Sequence, residues 1–200
     1  MTGKQHSFGR LAVLALLILL SPLAYGQTSN SDFERIKLIG SESELSGLTL
    51  SPDQRTLAVS FARSEPIKLI DWQNQKVRGE INAAIWNSGS RLNFSAGGKY
   101  LLAQEIGFSD FSQNKDRTID YEIIDPASGK LVKRFEKVQD VTISATENLA
   151  VSLNEDEITF WQLPSGEKIK SFTIPGATNA VALSTDGKVL AVSQIVDPND

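Results

Sequence analysis

Hydrophobic and polar positions alternate along most of this chain, and the alternation follows a phrase that recurs four times. Each copy is an apolar alternating run, a turn that begins with a serine, and a second apolar run. The copies are LTLSPDQRTLAVS, LNFSAGGKYLLAQ, VTISATENLAVS and VALSTDGKVLAVS, with serines at Ser51, Ser95, Ser144 and Ser184. Alternation of this kind predicts β-strands. Recurrence about every 40–50 residues is typical of stacked or radial repeats.

A second pattern lies between these copies and predicts a further hairpin in each repeat. Residues 67–81, 121–135 and 158–172 align without gaps, each with two alternating runs around a turn rich in Pro, Ser, Asn and Gly. One repeat therefore holds four strands, which we name a to d in chain order. Strand b is apolar on both faces, as in a strand covered by neighbouring sheets. Strand d carries Lys and Arg between apolar residues, which protects an outer edge from pairing with other chains.

The gradient from a buried inner strand to a charged outer strand predicts an all-β fold, a β-propeller of four-stranded antiparallel blades. Residues 33–39 align with a strand d, so the predicted strands begin with a lone outer strand. The predicted domain covers 27–200, with blades at about 46–82, 90–137 and 139–174 and a partial blade at 179–197. The prediction is an incomplete or open propeller of about 3.75 blades.

The sequence resembles a divergent member of the WD-type repeat family. ITFWQLPSGEKIKSF at 158–172 resembles the outer half of such a repeat, and the Ser-Pro-Asp and Ser-Thr-Asp-Gly turns resemble its inner half. The related propellers of bacterial periplasms are similar too, and the resemblance covers roughly 33–200. The family's Trp-Asp ending is incomplete in every repeat, and its Gly-His pair is absent. We therefore expect blades held together by packing rather than by the family's network of His, Asp and Trp.

Two explanations of the incomplete ring are left open by the sequence. The chain is a truncated or split version of a longer propeller, or it is an open arc whose missing blades come from another copy. In both cases the predicted open edge near 189–200 carries the apolar run 189–192. Unpaired backbone groups beside apolar side chains favour association, so self-association through this edge is an expectation.

Residues 1–26 are predicted to be a signal peptide. Basic residues precede an apolar run at 11–20, and small residues lead to an expected cleavage between Gly26 and Gln27. A retained anchor helix is the alternative, but Pro22 follows an apolar run shorter than the roughly 20 residues that a spanning helix needs. We therefore expect a periplasmic or secreted protein that meets a membrane only during export. The absence of cysteine favours a bacterial envelope.

Composition narrows the chemistry that is available after cleavage. Loss of the leader makes the formal net charge of −4 two units more negative, and no basic stripe remains, so nucleic-acid binding is not expected. The one histidine is His6, in the leader, and cysteine is absent. Nucleophile systems that need His or Cys, and metal sites built from them, are therefore excluded for 27–200. We expect no cofactor and no metal.

Carboxylates are the remaining candidates for acid–base catalysis, and we interpret them as solvated loop residues of an acidic protein. They are Asp110, Asp116, Asp120 and the run at 155–157. The aspartates of the predicted turns are expected to accept local hydrogen bonds instead. These are Asp53, Asp71, Asp125 and Asp186.

The irregular feature of the repeats is an insertion at about 105–118, EIGFSDFSQNKDRT. In a propeller it would project from the same rim as Trp86, and exposed loop aromatics often anchor partners. The candidate interaction patch consists of Trp86, Phe108, Asp110 and Phe111, the alternative being aromatics that pack against the blade. We expect a non-enzymatic scaffold for protein–protein interaction. The alternative is a fragment or divergent relative of a propeller enzyme of the lactonase or quinoprotein dehydrogenase type.

Overall fold

Fourteen β-strands in four sheets make up the part of the chain that the computed structural model describes, which is residues 43–84, 86, 88–106, 118–175 and 177–195. The first sheet contains β1 (Leu45–Leu50), β2 (Thr56–Phe61), β3 (Ile67–Asp71) and β4 (Lys76–Ile81). The second contains β5 (Ser90–Phe94), β6 (Leu101–Glu105), β7 (Ile119–Asp125) and β8 (Lys130–Val138). The third contains β9 (Asp140–Ile143), β10 (Leu149–Asn154), β11 (Glu157–Gln162) and β12 (Lys168–Thr173). The fourth contains β13 (Ala177–Leu183) and β14 (Leu190–Ile195).

Each sheet is an antiparallel meander in which neighbours in sequence are neighbours in space. The strand orders are β1-β2-β3-β4, β5-β6-β7-β8, β9-β10-β11-β12 and β13-β14, and the four sheets do not close into a ring. The predicted fold class, all-β with four-stranded antiparallel blades, is confirmed. The predicted leader at 1–26, its cleavage site at Gly26 and Gln27, and the predicted strand at 33–39 lie outside the described residues. No helix in the described part of the chain is long and apolar enough to cross a membrane.

The recurring serine closes the turn between strands a and b. In the first sheet the Ser51 hydroxyl accepts from the backbone N–H of Thr56 at 2.9 Å and donates to Asp53 at 2.6 Å. In the fourth sheet the Ser184 hydroxyl donates to Asp186 at 2.6 Å in the same way. A short polar side chain that bonds its own turn replaces the ladder partners that the turning backbone gives up. The recurrence of the serine therefore has a local structural cause.

The turns between strands c and d of the first and second sheets are held by aspartates, as the sequence predicted. Asp71 accepts from the backbone and side-chain N–H groups of Asn74, both at 3.0 Å, and from Arg78 Nε at 3.2 Å. These bonds, those from Asn74 foremost, lower the pKa of Asp71 from 3.8 to about 2. A serine hydroxyl is the main cause that lowers the pKa of three further turn aspartates, which are Asp53, Asp125 and Asp186.

We expect the chain to lose stability in acid because of these turns. A carboxyl whose folded pKa is depressed stabilises the fold above its unfolded pKa, and the contribution is lost as pH falls through the folded pKa. For Asp71 that window runs from about 4 down to about 2. Thermal unfolding followed by circular dichroism should therefore give a falling midpoint across this window. Asp71→Asn should be less stable than wild type at neutral pH and should lose less below pH 4, whereas equal losses in both proteins would contradict the assignment.

Burial is greatest in strands b and c, not in strand a. Strands β2 and β10 are almost entirely buried, whereas β1 is half-buried and β12 is exposed along its whole length. The prediction of an exposed, charged strand d is confirmed. The prediction that burial peaks at the inner strand is wrong, because in the three four-stranded sheets strand a is an edge strand while b and c have strand neighbours on both sides.

Hydrophobic clusters join the sheets face to face in chain order. The cluster between the first and second sheets includes Ala58, Ile67, Leu92, Leu101 and Ile124. The cluster between the second and third includes Tyr121, Ile123, Phe135, Ala150 and Leu163. The cluster between the third and fourth includes Val151, Leu153, Ile158 and Val181. Alternating side chains of one strand thus enter two different clusters, which explains why these strands are apolar on both faces.

Tyr100 is 1% exposed, and its hydroxyl has no hydrogen-bond partner among the described residues. A buried polar group without a partner costs about 1–3 kcal/mol. We therefore expect Tyr100→Phe to leave stability unchanged or to raise the free energy of unfolding by up to about 1 kcal/mol. Chemical denaturation of the two proteins measures the difference. A loss of more than about 1 kcal/mol would show that the hydroxyl has a favourable partner.

Polar ties supplement the packing between and within sheets. Trp161 Nε1 donates to the Ser152 hydroxyl at 2.8 Å, which links strands c and b of the third sheet. Between sheets, a Glu147 carboxylate oxygen accepts from the backbone N–H groups of Gly97 and Lys99 at 3.0 and 3.1 Å. The expectation that packing alone holds the blades together is therefore incomplete. The WD-type network of His, Asp and Trp lacks its histidine in these repeats, but other hydrogen bonds tie strands and sheets together.

Candidate functional site

Because neighbouring strands are antiparallel, the b–c and d–a connections lie at one end of the strands of each sheet, and the a–b and c–d turns lie at the other end. We call the end that carries the b–c and d–a connections the loop face. Its connections are 62–66, 82–89, 106–118, 139, 155–156 and 174–176. The opposite end of the strands carries the short serine and aspartate turns described above.

The b–c connections differ greatly in length. In the third sheet, residues 155–156 join β10 to β11 as a tight turn, whereas residues 106–118 join β6 to β7 in the second. The extra length of the second repeat therefore lies at the loop face, where the sequence placed the insertion. Phe108, Asp110 and Phe111, three members of the predicted interaction patch, lie outside the described residues.

Trp86, the fourth member of that patch, is half-buried and packs against the cluster between the first and second sheets. Its loop is held by two hydrogen bonds, from the N–H of Gly89 to the Trp86 carbonyl and from the Ser90 hydroxyl to the Ala84 carbonyl, both at 2.9 Å. The N–H of Ile106 donates to the Gly89 carbonyl at 3.2 Å. The insertion thus departs directly beside the Trp86 loop, and the indole contributes to both the core and the surface.

Asp140 is a partly buried carboxylate at the loop face. One of its oxygens accepts from the N–H of Val141 at 2.8 Å, and the other accepts from the N–H of Val181 at 2.9 Å. The second bond joins the inner strand of the third sheet to that of the fourth. Burial raises the pKa of Asp140, and the bonds to its oxygens oppose the rise. Through the bond to Val181, the carboxylate ties the third sheet to the fourth.

Tyr121 lies next to Asp140, and its hydroxyl is 3.3 Å from the carbonyl oxygen of Gln139, to which it donates. Burial, followed by the neighbouring Asp140 carboxylate, raises the pKa of Tyr121. The phenol is therefore neutral at physiological pH and acts as a donor. Sequence reasoning missed this pair, since neither residue stands in a turn.

Two of the other predicted acid–base candidates, Asp120 and Glu157, have structural partners. Asp120 accepts from the N–H of Lys137 at 3.0 Å. Glu157 pairs with Lys168 at 3.2 Å, and hydrogen bonds from Ser171 and Lys168 lower its pKa. Asp116 lies outside the described residues. Among those that are described, no three His, Cys, Asp or Glu side chains are grouped as metal ligands would be.

Comparison with known proteins identifies the class of fold. Solved structures match the chain, among them a chain of Kuenenia stuttgartiensis hydrazine synthase, with a TM-score of 0.51 and 19% sequence identity. The match covers 84% of this chain and 44% of that chain, so this chain spans less than half of its length. That protein contains a β-propeller, and at this identity the likeness concerns the fold alone. With its repeated four-stranded sheets, this chain is a β-propeller-type repeat protein.

No family model and no curated protein matches the chain. The likeness to WD-type repeats, drawn from the residues at 158–172 and from the serine turns, therefore remains a prediction at the level of the family. The propeller-type fold does not depend on it.

Proposed function

We propose that this chain is a non-enzymatic propeller scaffold that binds a protein partner through its loop face. The observation that carries the proposal is the contrast between the two ends of the strands. One end has tight turns closed by their own serines and aspartates, whereas the loop face carries the long connection 106–118 beside the half-buried Trp86. Long loops on a rigid sheet framework are the usual place for recognition.

The chemistry of the loop face supports binding rather than turnover. Asp140 accepts backbone N–H groups at both carboxylate oxygens, and the Tyr121 hydroxyl donates to a carbonyl. The sequence of 27–200 contains neither histidine nor cysteine. Aromatic side chains often act as anchors at the apolar centre of a protein interface, which a polar rim surrounds.

We also propose export to a bacterial periplasm or to the outside of the cell, on the strength of the predicted leader at 1–26. To test export, the full chain is expressed in bacteria, and mass spectrometry measures the mass of the protein recovered from each cell fraction. A chain that begins at Gln27 supports export, and an intact chain retained with cytoplasmic markers contradicts it.

Replacing Phe108 and Phe111 together by Ser should abolish capture of the partner while leaving the unfolding midpoint nearly unchanged. The matched control is Leu131→Ser, which removes an exposed apolar side chain of the same sheet at its outer strand. Wild type, the double variant and the control are each immobilised, bound protein is crosslinked to them, and mass spectrometry measures how much partner each one captures. Equal capture by all of them would contradict the proposal, and a large loss of stability in the double variant would mean that the rings belong to the core.

A propeller enzyme, or part of one, is the second candidate function. The observation in its favour is that the matched structure bears the name of a synthase. Screens with lactone and dehydrogenase substrates test this candidate. Turnover that exceeds the background, and that disappears on replacing a described loop-face carboxylate, would favour the enzyme over the scaffold.

A further inference from the structure

The four a–b turns share one backbone geometry. In each, the fourth residue donates its N–H to the carbonyl of the leading serine at 2.8 or 2.9 Å and has a positive φ. These fourth residues are Gln54, Gly98, Glu147 and Gly187. Glycine adopts this conformation without steric cost, and two of the four turns use it. Glu147 therefore stands where glycine would be less strained, and a contact of its side chain has to offset the difference.

In the first and fourth sheets the turn binds a carboxylate of its own. Oδ1 of the third turn residue accepts from the serine hydroxyl at 2.6 Å and from the N–H of the fifth turn residue at 3.1 Å. These two acids are Asp53 and Asp186, and both donors lower the aspartate pKa, the serine hydroxyl more than the N–H. We call the serine hydroxyl and the fifth-residue N–H the carboxylate niche of a turn. The niche thus favours a charged carboxylate.

The second sheet has the same niche but no acid in its own turn. Its third turn residue is Gly97, and Glu147 supplies the carboxylate from the turn of the third sheet. One Glu147 oxygen accepts from the Ser95 hydroxyl and from the N–H of Lys99 at 3.1 Å, the two donors of the niche. The same oxygen accepts from the N–H of Gly97 at 3.0 Å. The turn of the second sheet therefore takes its acid from a residue 52 positions after its serine.

Gly97 and the turn of the third sheet both make this arrangement possible. A Cβ built on Gly97 would lie 2.5 Å from Glu147 Oε2, so a side chain there would displace the Glu147 carboxylate. The φ of Gly97 lies outside the left-handed region, so glycine is needed there for space and not for conformation. In the third sheet, the Thr146 hydroxyl donates to the Asn148 side chain at 2.7 Å. That turn thus has a polar closure of its own and does not need the Glu147 carboxylate.

We propose that the a–b turn of the second sheet is a carboxylate-binding site, through which Glu147 clasps the third sheet to the second. Its ligand class is a carboxylate, because the equivalent donors hold a carboxylate oxygen in three of the four turns. A small carboxylate anion should enter the site when the Glu147 side chain is removed, and Gly97→Asp should fill the site from within the turn. The site lies at the end of the strands opposite the loop face, so it is independent of the proposed function.

The first test removes the ligand without straining the turn. Glu147→Gly introduces the residue that two of the other turns have at this position, so the backbone alone should gain from the change. We nevertheless expect the thermal unfolding midpoint to fall by about 3 °C, because three hydrogen bonds to a carboxylate are lost. The control is Glu136→Ala, which removes an exposed acid from strand d of the second sheet. Its midpoint should stay within about 1 °C of wild type.

Acetate then probes the emptied site. Sodium acetate titrated into Glu147→Gly should raise the midpoint to a plateau, whereas sodium chloride at the same ionic strength should not, and wild type should not respond to acetate. The double variant Glu147→Gly with Gly97→Asp carries the acid within the turn, as the first and fourth sheets do. It should recover most of the lost midpoint without acetate and should no longer respond to acetate.

A double-mutant cycle of Ser95→Ala and Glu147→Gly tests the clasp between the sheets. Because the two side chains interact, the double variant should lose clearly less stability in chemical denaturation than the sum of the single losses. Ser51→Ala, the same serine in the first sheet, is the matched control and should combine additively with Glu147→Gly. Additive losses with Ser95→Ala, a Glu147→Gly midpoint at or above that of wild type, or an equal acetate response in wild type would overturn the proposal.

Discussion

Arg134→Leu is expected to lower the free energy of unfolding at neutral pH by about 3–5 kcal/mol. Arg134 Nε donates to a carboxylate oxygen of Glu122 at 2.6 Å, and its Nη2 donates to the same oxygen. The side chain of Glu122 is 0% exposed, whereas that of Arg134 is 48% exposed. The second oxygen of Glu122 is buried and has no hydrogen-bond partner among the described residues. Removing the guanidinium would leave a buried carboxylate without its cation, and that is the costly half of breaking such a pair.

A double-mutant cycle separates this cost from the loss of packing. Glu122→Leu together with Arg134→Leu replaces the pair by apolar side chains, so we expect a stability within about 1 kcal/mol of wild type. Chemical denaturation of the single and double variants gives the coupling energy. If Arg134→Leu cost less than about 0.5 kcal/mol, the pair would behave as an ordinary surface ion pair and the interpretation would be wrong.

The second large effect is expected at Gly47, where the first sheet lies close against the backbone of the second. A Cβ built on Gly47 would overlap the carbonyl oxygen of Ser90 and lie 2.6 Å from the Ser60 hydroxyl. That hydroxyl donates to the same Ser90 carbonyl at 2.6 Å, so the three groups join β1 and β2 of the first sheet to β5 of the second. The backbone must shift to admit even a methyl group. We expect Gly47→Ala to cost about 1–3 kcal/mol, as overpacking usually does.

Gly79→Ala is the matched control for this experiment. Gly79 is also a strand residue, but a Cβ built on it meets nothing within 4 Å. Alanine there should be neutral or slightly stabilising, since it reduces the freedom of the unfolded chain. Thermal unfolding of the two variants side by side measures the contrast. Equal midpoints would show that the junction at Ser90 is looser than described.

Local features of the fold were predictable from the sequence because their causes are local. The serines of the a–b turns and the aspartates of the first two c–d turns bond groups only a few residues away, although Ser95 also bonds Glu147. The c–d hairpins align without gaps, so the turn of each hairpin fixes which residues of its two strands pair. The alternation of charged and apolar residues then predicts an exposed strand d. Which inner strand is most buried depends on neighbours across the sheet, and that prediction failed for strand a.

The polar contacts between sheets were missed because their partners are distant in sequence. Asp140 stands four residues before its turn serine, where the other repeats have Gly47, Arg91 and Ala180. That outlier was a signal, but its partner, the N–H of Val181, is a backbone group that no residue type reveals. Glu122 was more accessible to prediction. An acid in an apolar strand, opposite an arginine in a hairpin of known register, indicates a paired buried charge.

The candidate site divides in the same way. The sequence placed Trp86 and the insertion at one rim, and the structure puts their ends side by side through the Ile106–Gly89 bond. The packing of Trp86 partly into the core corresponds to the alternative that the sequence left open, and which alternative holds depends on how the first two sheets meet.

Whether the loop face binds protein can be measured by hydrogen–deuterium exchange of the chain with and without its captured partner. Binding at the loop face should slow exchange in peptides covering 83–89 and 106–118 and leave exchange in β4 and β8 unchanged. Protection confined to β4 and β8, with unchanged exchange at 83–89 and 106–118, would contradict it.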